Sequence, residues 1–347
     1  MNKEINIVVI GASGYTGLEL IRILYKHPHA NIKALVADSN AGKEISEIYQ
    51  HLGSIDLPIL KKVSEVNFND IDVVFCCMPH ATSQKVISDL PKHVKIIDLS
   101  ADFRIKNANT YKEWYGVEHI AEDLQKEAVY GLTELNKEEI ITANIVACPG
   151  CYPTSILLPL LPLLNNKIIS TKNIIADSKT GISGAGRSVK LGNLFSEIDG
   201  GIKAYSVGGH RHVAEIEQEL SIITDENVQV TFTPQIAPMT RGILSSIYVD
   251  LEDGMTIEDM KNSLEGSYKD SQFVKIFSDG YCPSTKDVYS TNKCVISIFK
   301  DRIENRAIII SAIDNLIKGS SGQAVQNMNC IFGIDENLGL DDIALYP

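Results

Sequence analysis

Ile5-Asn6-Ile7-Val8-Val9-Ile10-Gly11-Ala12-Ser13-Gly14-Tyr15-Thr16-Gly17 is the stretch on which the fold turns. Residues 5–10 are short, continuous and β-branched, which is how a strand buried on both faces reads. Glycines follow, and then Leu18-Glu19-Leu20-Ile21-Arg22-Ile23-Leu24, a run compatible with a helix. Strand, glycine turn and helix in that order are the context of a dinucleotide-binding turn. The glycines let the backbone approach a pyrophosphate, which then sits on the amides and positive dipole of the helix N-terminus. The spacing is Gly-x-x-Gly-x-x-Gly, with Ser13 in the middle. An ordinary β-to-α turn is the plainer alternative, but all three parts fall where the fingerprint demands. Gly11, Ser13, Gly14, Tyr15, Thr16 and Gly17 are the candidate contacts. The second strand ends at Ala37-Asp38-Ser39. An acid there favours the unmodified ribose of NAD; Ser39, Asn40 and Lys43 could instead hold a 2′-phosphate, and both readings stay open.

Outward from this turn, 32–36, 71–77 and 95–99 read as further strands, with a helix over 82–90. This alternation predicts a Rossmann-like, doubly wound parallel sheet. After residue 150 the rhythm changes. A helix over 154–164 precedes strands at 173–177, 228–234, 242–251, 293–299 and 306–312, with helices near 211–223 and 256–268. That pattern predicts an α+β domain on a largely antiparallel sheet, so the fold class is α/β with two domains. The tail 322–332 has helical character. We expect 1–149 and 315–347 to form the dinucleotide-binding domain, and 150–314 the catalytic, substrate and oligomerisation domain.

Composition narrows the function classes. The chain has 347 residues, 44% hydrophobic and 22% charged, with a formal net charge of −12. A general nucleic-acid binder needs a basic surface to displace counterions, so this balance argues against one; small anionic substrates stay open because a few local arginines outweigh a distant field. Met1-Asn2-Lys3-Glu4-Ile5 shows no basic region ahead of a long apolar run, so a cytoplasmic location is expected. The most apolar stretch, 156–164, contains Pro159 and Pro162 and falls short of the roughly 20 residues that span a bilayer, so no membrane partner is expected. Cysteines at 76, 77, 148, 151, 282, 294 and 330 are odd in number and scattered, which points to reduced thiols.

Three groups of residues carry candidate chemistry. Cys151, in Cys148-Pro149-Gly150-Cys151-Tyr152-Pro153-Thr154, lies just ahead of an apolar helix whose dipole would favour a thiolate. A buried structural thiol is an equal reading on composition, and Cys148-x-x-Cys151 has redox-pair spacing without the βαβ context such pairs occupy. In Gly208-Gly209-His210-Arg211-His212, His-x-His with Glu215 and Glu217 is weak metal evidence. An acid/base histidine beside a cysteine fits better, with Glu215 within range to orient the His210 ring. Arg187 and Arg241 sit in loop contexts and could grip a dianionic substrate bidentately, although single arginines are more often surface residues. No metal is expected.

Taken together, the chain resembles N-acetyl-gamma-glutamyl-phosphate reductase, the arginine-pathway relative of aspartate-semialdehyde dehydrogenase. The segments that carry the resemblance run the length of the sequence. They are Gly11–Gly17, Pro79-His80-Ala81-Thr82-Ser83, Asp98-Leu99-Ser100-Ala101-Asp102-Phe103-Arg104, Tyr130–Asn136 and Pro149–Thr154, then Ser183–Arg187, Gly209–His212, Ala237–Gly242 and Lys318–Asn329. The resemblance implies reduction of an acyl phosphate to a semialdehyde through a thioester on Cys151, with His210 as acid/base and Glu215 as its partner. It implies NADPH as cofactor, with NAD not excluded given Asp38, and a homodimer or homotetramer. Beyond the glycine turn and Ser39, it implies cofactor contacts from Pro79, Ser183, Gly184, Asn315 and Gln323. Arg104, Arg187, His212 and Arg241 are then expected at the substrate. A reductase acting on an aspartyl or aminoadipyl phosphate is the alternative. A non-catalytic nucleotide-binding regulator is disfavoured because the thiol and the histidine cluster are both intact. Position 148, commonly Asn in this motif, is Cys here, so a Cys148–Cys151 disulfide could switch the activity off.

Overall fold

The structure is a computed structural model that describes residues 4–277 and 280–346, so Met1-Asn2-Lys3 lies outside it. The chain divides into two compact units: 1–149 with 320–341, and 150–319 with 342–347. The segment 315–347 is therefore shared between them.

In the first unit, strands and helices alternate: β1 (Ile5–Ile10), α1 (Tyr15–Lys26), β2 (Ala30–Val36), β3 (Leu60–Lys61), β4 (Val73–Cys76), α2 (Ser83–Ser88), β5 (Lys95–Asp98), α3 (Ala108–Tyr115), α4 (Glu122–Glu127), β6 (Ala128–Tyr130), α5 (Thr133–Thr142) and β7 (Ile145–Ala147). The sheet order is β3-β2-β1-β4-β5-β7-β6 and each pairing is parallel. This is the Rossmann-like sheet expected from the sequence. Order reverses between β1 and β4, and in open α/β sheets ligands bind outside the carboxyl ends of strands at such a switch point. Val8, Ile10, Val36, Val74, Ile96, Phe103 and Ala147 belong to one buried cluster on the sheet.

The second unit opens with α6 (Cys151–Asn165), then β8 (Ile174–Thr180), α7 (Phe195–Ile198), β9 (Lys203–Ala204), α8 (His212–Thr224), β10 (Val230–Ile236), β11 (Ile243–Asp250), α9 (Ile257–Tyr268), β12 (Val274–Ile276), β13 (Cys294–Lys300) and β14 (Arg306–Ile313). Its sheet runs β12-β13-β14-β11-β8-β10-β9. Only β8–β10 and β12–β13 are parallel pairs, so the sheet is largely antiparallel, as expected. Strict alternation along β8 and β11 turns Ala176, Ser178, Ser245 and Ile247 inward, while α6 is buried from Tyr152 to Leu164.

That helix contains two internal prolines, Pro159 and Pro162, and the acceptor that Pro162 frees is not abandoned. Pro162 has no N–H to give the Leu158 carbonyl. The Tyr268 hydroxyl donates to that carbonyl instead, at 2.5 Å. The inward serines are likewise matched, with Ser155 Oγ 2.6 Å from Ser245 Oγ and Ser245 Oγ 2.7 Å from Ser178 Oγ.

A π-turn, Ile317–Ser321, leads into α10 (Gly322–Ile331), which completes the first unit against α5 and α1. Asn327 donates to the Gly131 carbonyl and accepts from Thr133 Oγ1 at 2.7 Å, and the Ser321 hydroxyl donates to the Thr16 carbonyl.

Candidate functional site

Cys151 is the first residue of α6, half-buried, with Gly150 as its N-cap. The Gly150 amide donates to Glu215 Oε1 at 2.7 Å, and Glu215 is fully buried on α8. That carboxylate oxygen thus ties α8 to the start of α6. On the other side Gly319 lies so close that a Cβ there would stand 2.8 Å from Cys151 Cβ. The next residue, Tyr152, is buried, and its ring meets His210, His212 and Phe232 edge-on, with centroids 5.5, 5.9 and 5.1 Å away. The Tyr205 hydroxyl donates to the Tyr152 hydroxyl at 3.1 Å, and the Tyr205 ring packs on His210.

His210 is oriented by backbone. Its Nδ1 accepts from the His212 amide at 3.1 Å, so a neutral ring carries its proton on Nε2. Burial, followed by the nearby Arg211 charge, lowers its pKa to about 4. At neutral pH this imidazole is an Nε2–H donor and not an imidazolium.

His210 lines a cavity of about 440 Å³ together with Tyr205, Arg211, Lys190, Lys203 and Asn193, and among the described residues no carboxylate side chain is in its walls. Lys190, Lys203, Arg211 and Tyr205 escaped the sequence reading. Both lysines are exposed, Lys190 in a loop and Lys203 at the start of β9, where nothing in one sequence distinguishes them from solvated surface. Ser183, Gly184, Asn315, Arg187 and Arg241 also belong to this unit. Asn315 is buried and bridges two loops, donating to Ser183 Oγ at 3.0 Å and accepting from the Gly242 amide at 2.8 Å. Gly184 lies beside it, a Cβ there falling 3.7 Å from Asn315 Nδ2. Arg241 pairs with the buried Asp314 at 3.7 Å. Arg187 is exposed.

In the first unit, Gly11 has φ +84°, and a Cβ there would lie 2.2 Å from the Cys77 carbonyl oxygen. A Cβ on Gly17 would lie 2.4 Å from the Gly11 carbonyl oxygen, so both positions admit only glycine. The N-cap of α1 is Gly14, with no side-chain cap and no acid in the first turn. Tyr15 and Thr16 open that turn, and Tyr49 Oη donates to the Ser13 carbonyl. An uncapped helix start behind a glycine cradle suits an anion. On α10, Gln323 is 1% exposed and neither its amide oxygen nor its nitrogen has a hydrogen-bond partner among the described residues. A buried orphan amide of this kind fits a polar ligand group. These features fit a dinucleotide.

Asp38 Oδ1 accepts from the Val63 amide at 3.2 Å. Ser39, Asn40 and Lys43 form a chain of side-chain contacts, Asn40 Nδ2 to Ser39 Oγ at 3.3 Å and Lys43 Nζ to Asn40 Oδ1 at 3.5 Å. Pro79 is exposed in the turn after β4. Arg104 is 8% exposed and acts as a backbone clamp, with Nε donating to the Cys148 carbonyl and Nη2 to the Leu99 carbonyl. Cys148 is a buried thiol that accepts from Asn327 Nδ2, and burial pushes its pKa up to about 12. A thiol so held attacks poorly, and all seven cysteines are thiols in the structure.

Residues 6–143 match the family model described as "Semialdehyde dehydrogenase, NAD binding domain", and residues 151–315 match "Semialdehyde dehydrogenase, dimerisation domain". Among curated relatives, "Probable N-acetyl-gamma-glutamyl-phosphate reductase, chloroplastic" of Arabidopsis thaliana is 51% identical over 99% of this chain and 86% of its own. "N-acetyl-gamma-glutamyl-phosphate reductase" of Rhodospirillum rubrum is 47% identical over the full length of both. Among solved structures, aspartate semialdehyde dehydrogenase II of Vibrio cholerae, complexed with ASA, superposes with TM-score 0.70 at 15% identity, over 95% of this chain and 98% of that one. Aspartate semialdehyde dehydrogenase of Candida albicans with NADP gives 0.67 at 17% identity, over 97% and 100%. At these identities the structures show the shared fold.

Proposed function

Since the chain belongs to the N-acetyl-gamma-glutamyl-phosphate reductase family, we propose that it reduces N-acetyl-gamma-glutamyl phosphate to the semialdehyde, with NADPH as reductant and Cys151 as thioester carrier. The observation that carries this reading is the thiol at the first residue of α6, beside the Tyr152–His210–Tyr205 cluster. The α6 dipole favours the Cys151 thiolate. Sγ attacks the acyl carbonyl, the carbon–oxygen bond to phosphate breaks, and phosphate leaves with the electron pair. NADPH, when bound, supplies the hydride that reduces the thioester. The neutral His210 ring donates its Nε2 hydrogen toward the oxyanion, and collapse breaks the carbon–sulfur bond to return the thiolate. Glu215 acts here by fixing the Gly150 amide.

Lys190, Lys203 and Arg211, around the His210 cavity, suit the carboxylate and phosphate of such a substrate. At the nucleotide, one Asp38 oxygen is already taken by Val63 N–H, and the exposed Ser39 and Lys43 with the half-buried Asn40 offer donors for a 2′-phosphate. The dimerisation-domain match supports a homodimer or homotetramer.

The assay is phosphate-dependent reduction of NADP with N-acetylglutamate semialdehyde, run beside aspartate semialdehyde. Turnover with the first and its near-complete loss in Cys151→Ser, with NADPH binding retained, are expected. His210→Asn should impair turnover more than His212→Asn. Preference for aspartate semialdehyde, or substantial turnover by Cys151→Ser, would overturn the reading.

A further inference from the structure

The turn after β4 contains Ala81 at φ +64°, a left-handed conformation that a residue with a Cβ holds only when its surroundings fix it. What fixes it is Asp102. This fully buried carboxylate accepts from the Ala81 amide at 2.6 Å and the Tyr111 hydroxyl at 2.8 Å on Oδ1. On Oδ2 it accepts from the Ser83 amide and the Ser83 hydroxyl, both at 2.9 Å. The Tyr111 proton has no other place to go, because the Tyr111 oxygen already accepts from Gln84 Nε2, whose own orientation is set by the Ile120 amide on Gln84 Oε1. Asp102 thus receives four donors, the environment of an ionised carboxylate.

A second carboxylate, Asp98, is joined to it through two serines. Asp98 Oδ2 is 2.8 Å from Ser100 Oγ, Ser100 Oγ is 2.6 Å from Ser83 Oγ, and Ser83 Oγ is 2.9 Å from Asp102 Oδ2. Three oxygen–oxygen contacts need three protons, and two hydroxyls supply two. With both acids ionised, one contact would press lone pair on lone pair in a buried site. A proton on Asp98 removes the conflict: Asp98 donates to Ser100, Ser100 to Ser83, and Ser83 to Asp102.

We propose that Asp98, Ser100, Ser83 and Asp102 share one proton along this chain, and that Asp102 at its end positions the 79–83 turn beside the dinucleotide crevice. This rests on reading Gly11–Gly17 as the dinucleotide turn. The two turns leave adjacent strands, β1 and β4, at the point where strand order reverses, and Gly11 touches the Cys77 backbone. Electrostatics agrees with the proton count. Burial pushes the Asp98 carboxyl up to about 7 against the donors of Ser100, with the Asp102 charge raising it and the Arg104 charge lowering it. Among the described residues the thiols of Cys76, Cys77 and Cys148 also face Asp98, each pushed up by burial and so neutral. On the Asp102 side stand Tyr111 and His119, whose Nε2 lies 2.9 Å from the Asp102 carbonyl.

Asparagine distinguishes the two acids, since it mimics a protonated carboxyl and not an ionised one. NADPH binding to the full chain, followed by fluorescence, should change less than about threefold in Asp98→Asn. It should weaken about tenfold or more in Asp102→Asn, where an amide N–H faces the Ala81 or Ser83 amide. Infrared spectra should show a buried carboxylic-acid band near pH 6 that fades by about pH 9 and is missing from Asp98→Asn. Ser83→Ala, which keeps both amide contacts to Asp102, should shift that band and covers the case in which Asp102→Asn does not fold. No such band in the wild type, or weaker NADPH binding by Asp98→Asn than by Asp102→Asn, would overturn the proposal. A wild type with the band but no NADPH binding would keep the shared proton and remove its link to the nucleotide.

Discussion

Gly319→Ala tests whether the thiol is held in place from behind. The added Cβ would stand 2.8 Å from Cys151 Cβ and 3.2 Å from both Cys151 Cα and Ile313 Cδ1, where ordinary contact begins at 3.4 Å. Cys151 cannot yield by moving with its helix, because α6 is buried from Tyr152 to Leu164 and tied by Gly150 to Glu215. The strain therefore falls on the Cys151 side chain and on the Ile317–Ser321 turn. Overpacking of this kind costs about 1–3 kcal/mol. Displacing a reacting group by about 1 Å costs on the order of 100-fold in rate. We expect kcat to fall roughly 100-fold, with KM changed less than about threefold. The rate of Cys151 alkylation by iodoacetamide, measured beside turnover, should change with it. Gly266→Ala, in an exposed turn of α9 with nothing within 4 Å of the new Cβ, is the control and should leave kcat alone. A Gly319→Ala enzyme with wild-type kcat and alkylation rate would show that the π-turn yields freely, and the positioning argument would fail.

Tyr268→Phe removes the donor that replaces the proline-blocked bond in α6 and leaves the Leu158 carbonyl buried without it. We expect a loss of about 1–3 kcal/mol, seen as a Tm lowered by roughly 2–10 °C in calorimetry; an unchanged Tm would mean that water reaches the carbonyl. The His210 ring titrates at about 4 in the folded chain, and near 6.5 when unfolded. Between these values the unfolded chain binds the extra proton, so the stability from burying the neutral ring is complete above about pH 6.5 and is lost as pH falls toward 4. Urea unfolding between those pH values should show this slope, and His210→Asn should reduce it. Gly11→Ala forces a Cβ against the Cys77 carbonyl at positive φ; NADPH binding should weaken at least about tenfold, and retained affinity in a fluorescence titration would refute the cradle.

The sheet centres were legible because their strands are continuous and apolar: β1, β4 and β5 follow from 5–10, 71–77 and 95–99, and the antiparallel strands from 242–251 and 306–312. β6 and β7 have three residues each, and β12 has three as well, too short for any periodicity to register. The expected helix over 154–164 begins at Cys151 instead, because Pro153 is tolerated in a first turn and hides the start. Cys151 and His210 stood out as candidates from their own neighbourhoods in the sequence. The cavity lysines did not, since an exposed lysine looks alike in sequence whether it faces a ligand or water. Arg104 was expected at the substrate for a related reason: a guanidinium fork suited to phosphate is equally suited to backbone carbonyls, and here it clamps Leu99 and Cys148. Glu215 was expected as the partner of His210, and the structure has its Oε1 accept from the Gly150 amide.

The docking of α10 bears on how the chain is made. The second unit is nearly continuous, whereas the first lacks α10 until residues 320–341 have been synthesised. At about 5–20 residues per second, the gap between residue 149 and residue 331 lasts roughly 10–40 s on the ribosome. During that time the carbonyl of Gly131 and the hydroxyl of Thr133 await Asn327, and the face of α5 that receives α10 stands open. The later-made unit can reach its native packing first, while the earlier-made sheet waits for its last helix. Truncation inside α10 should therefore expose the nascent first unit to chaperones and proteases, although every strand of its sheet is already present.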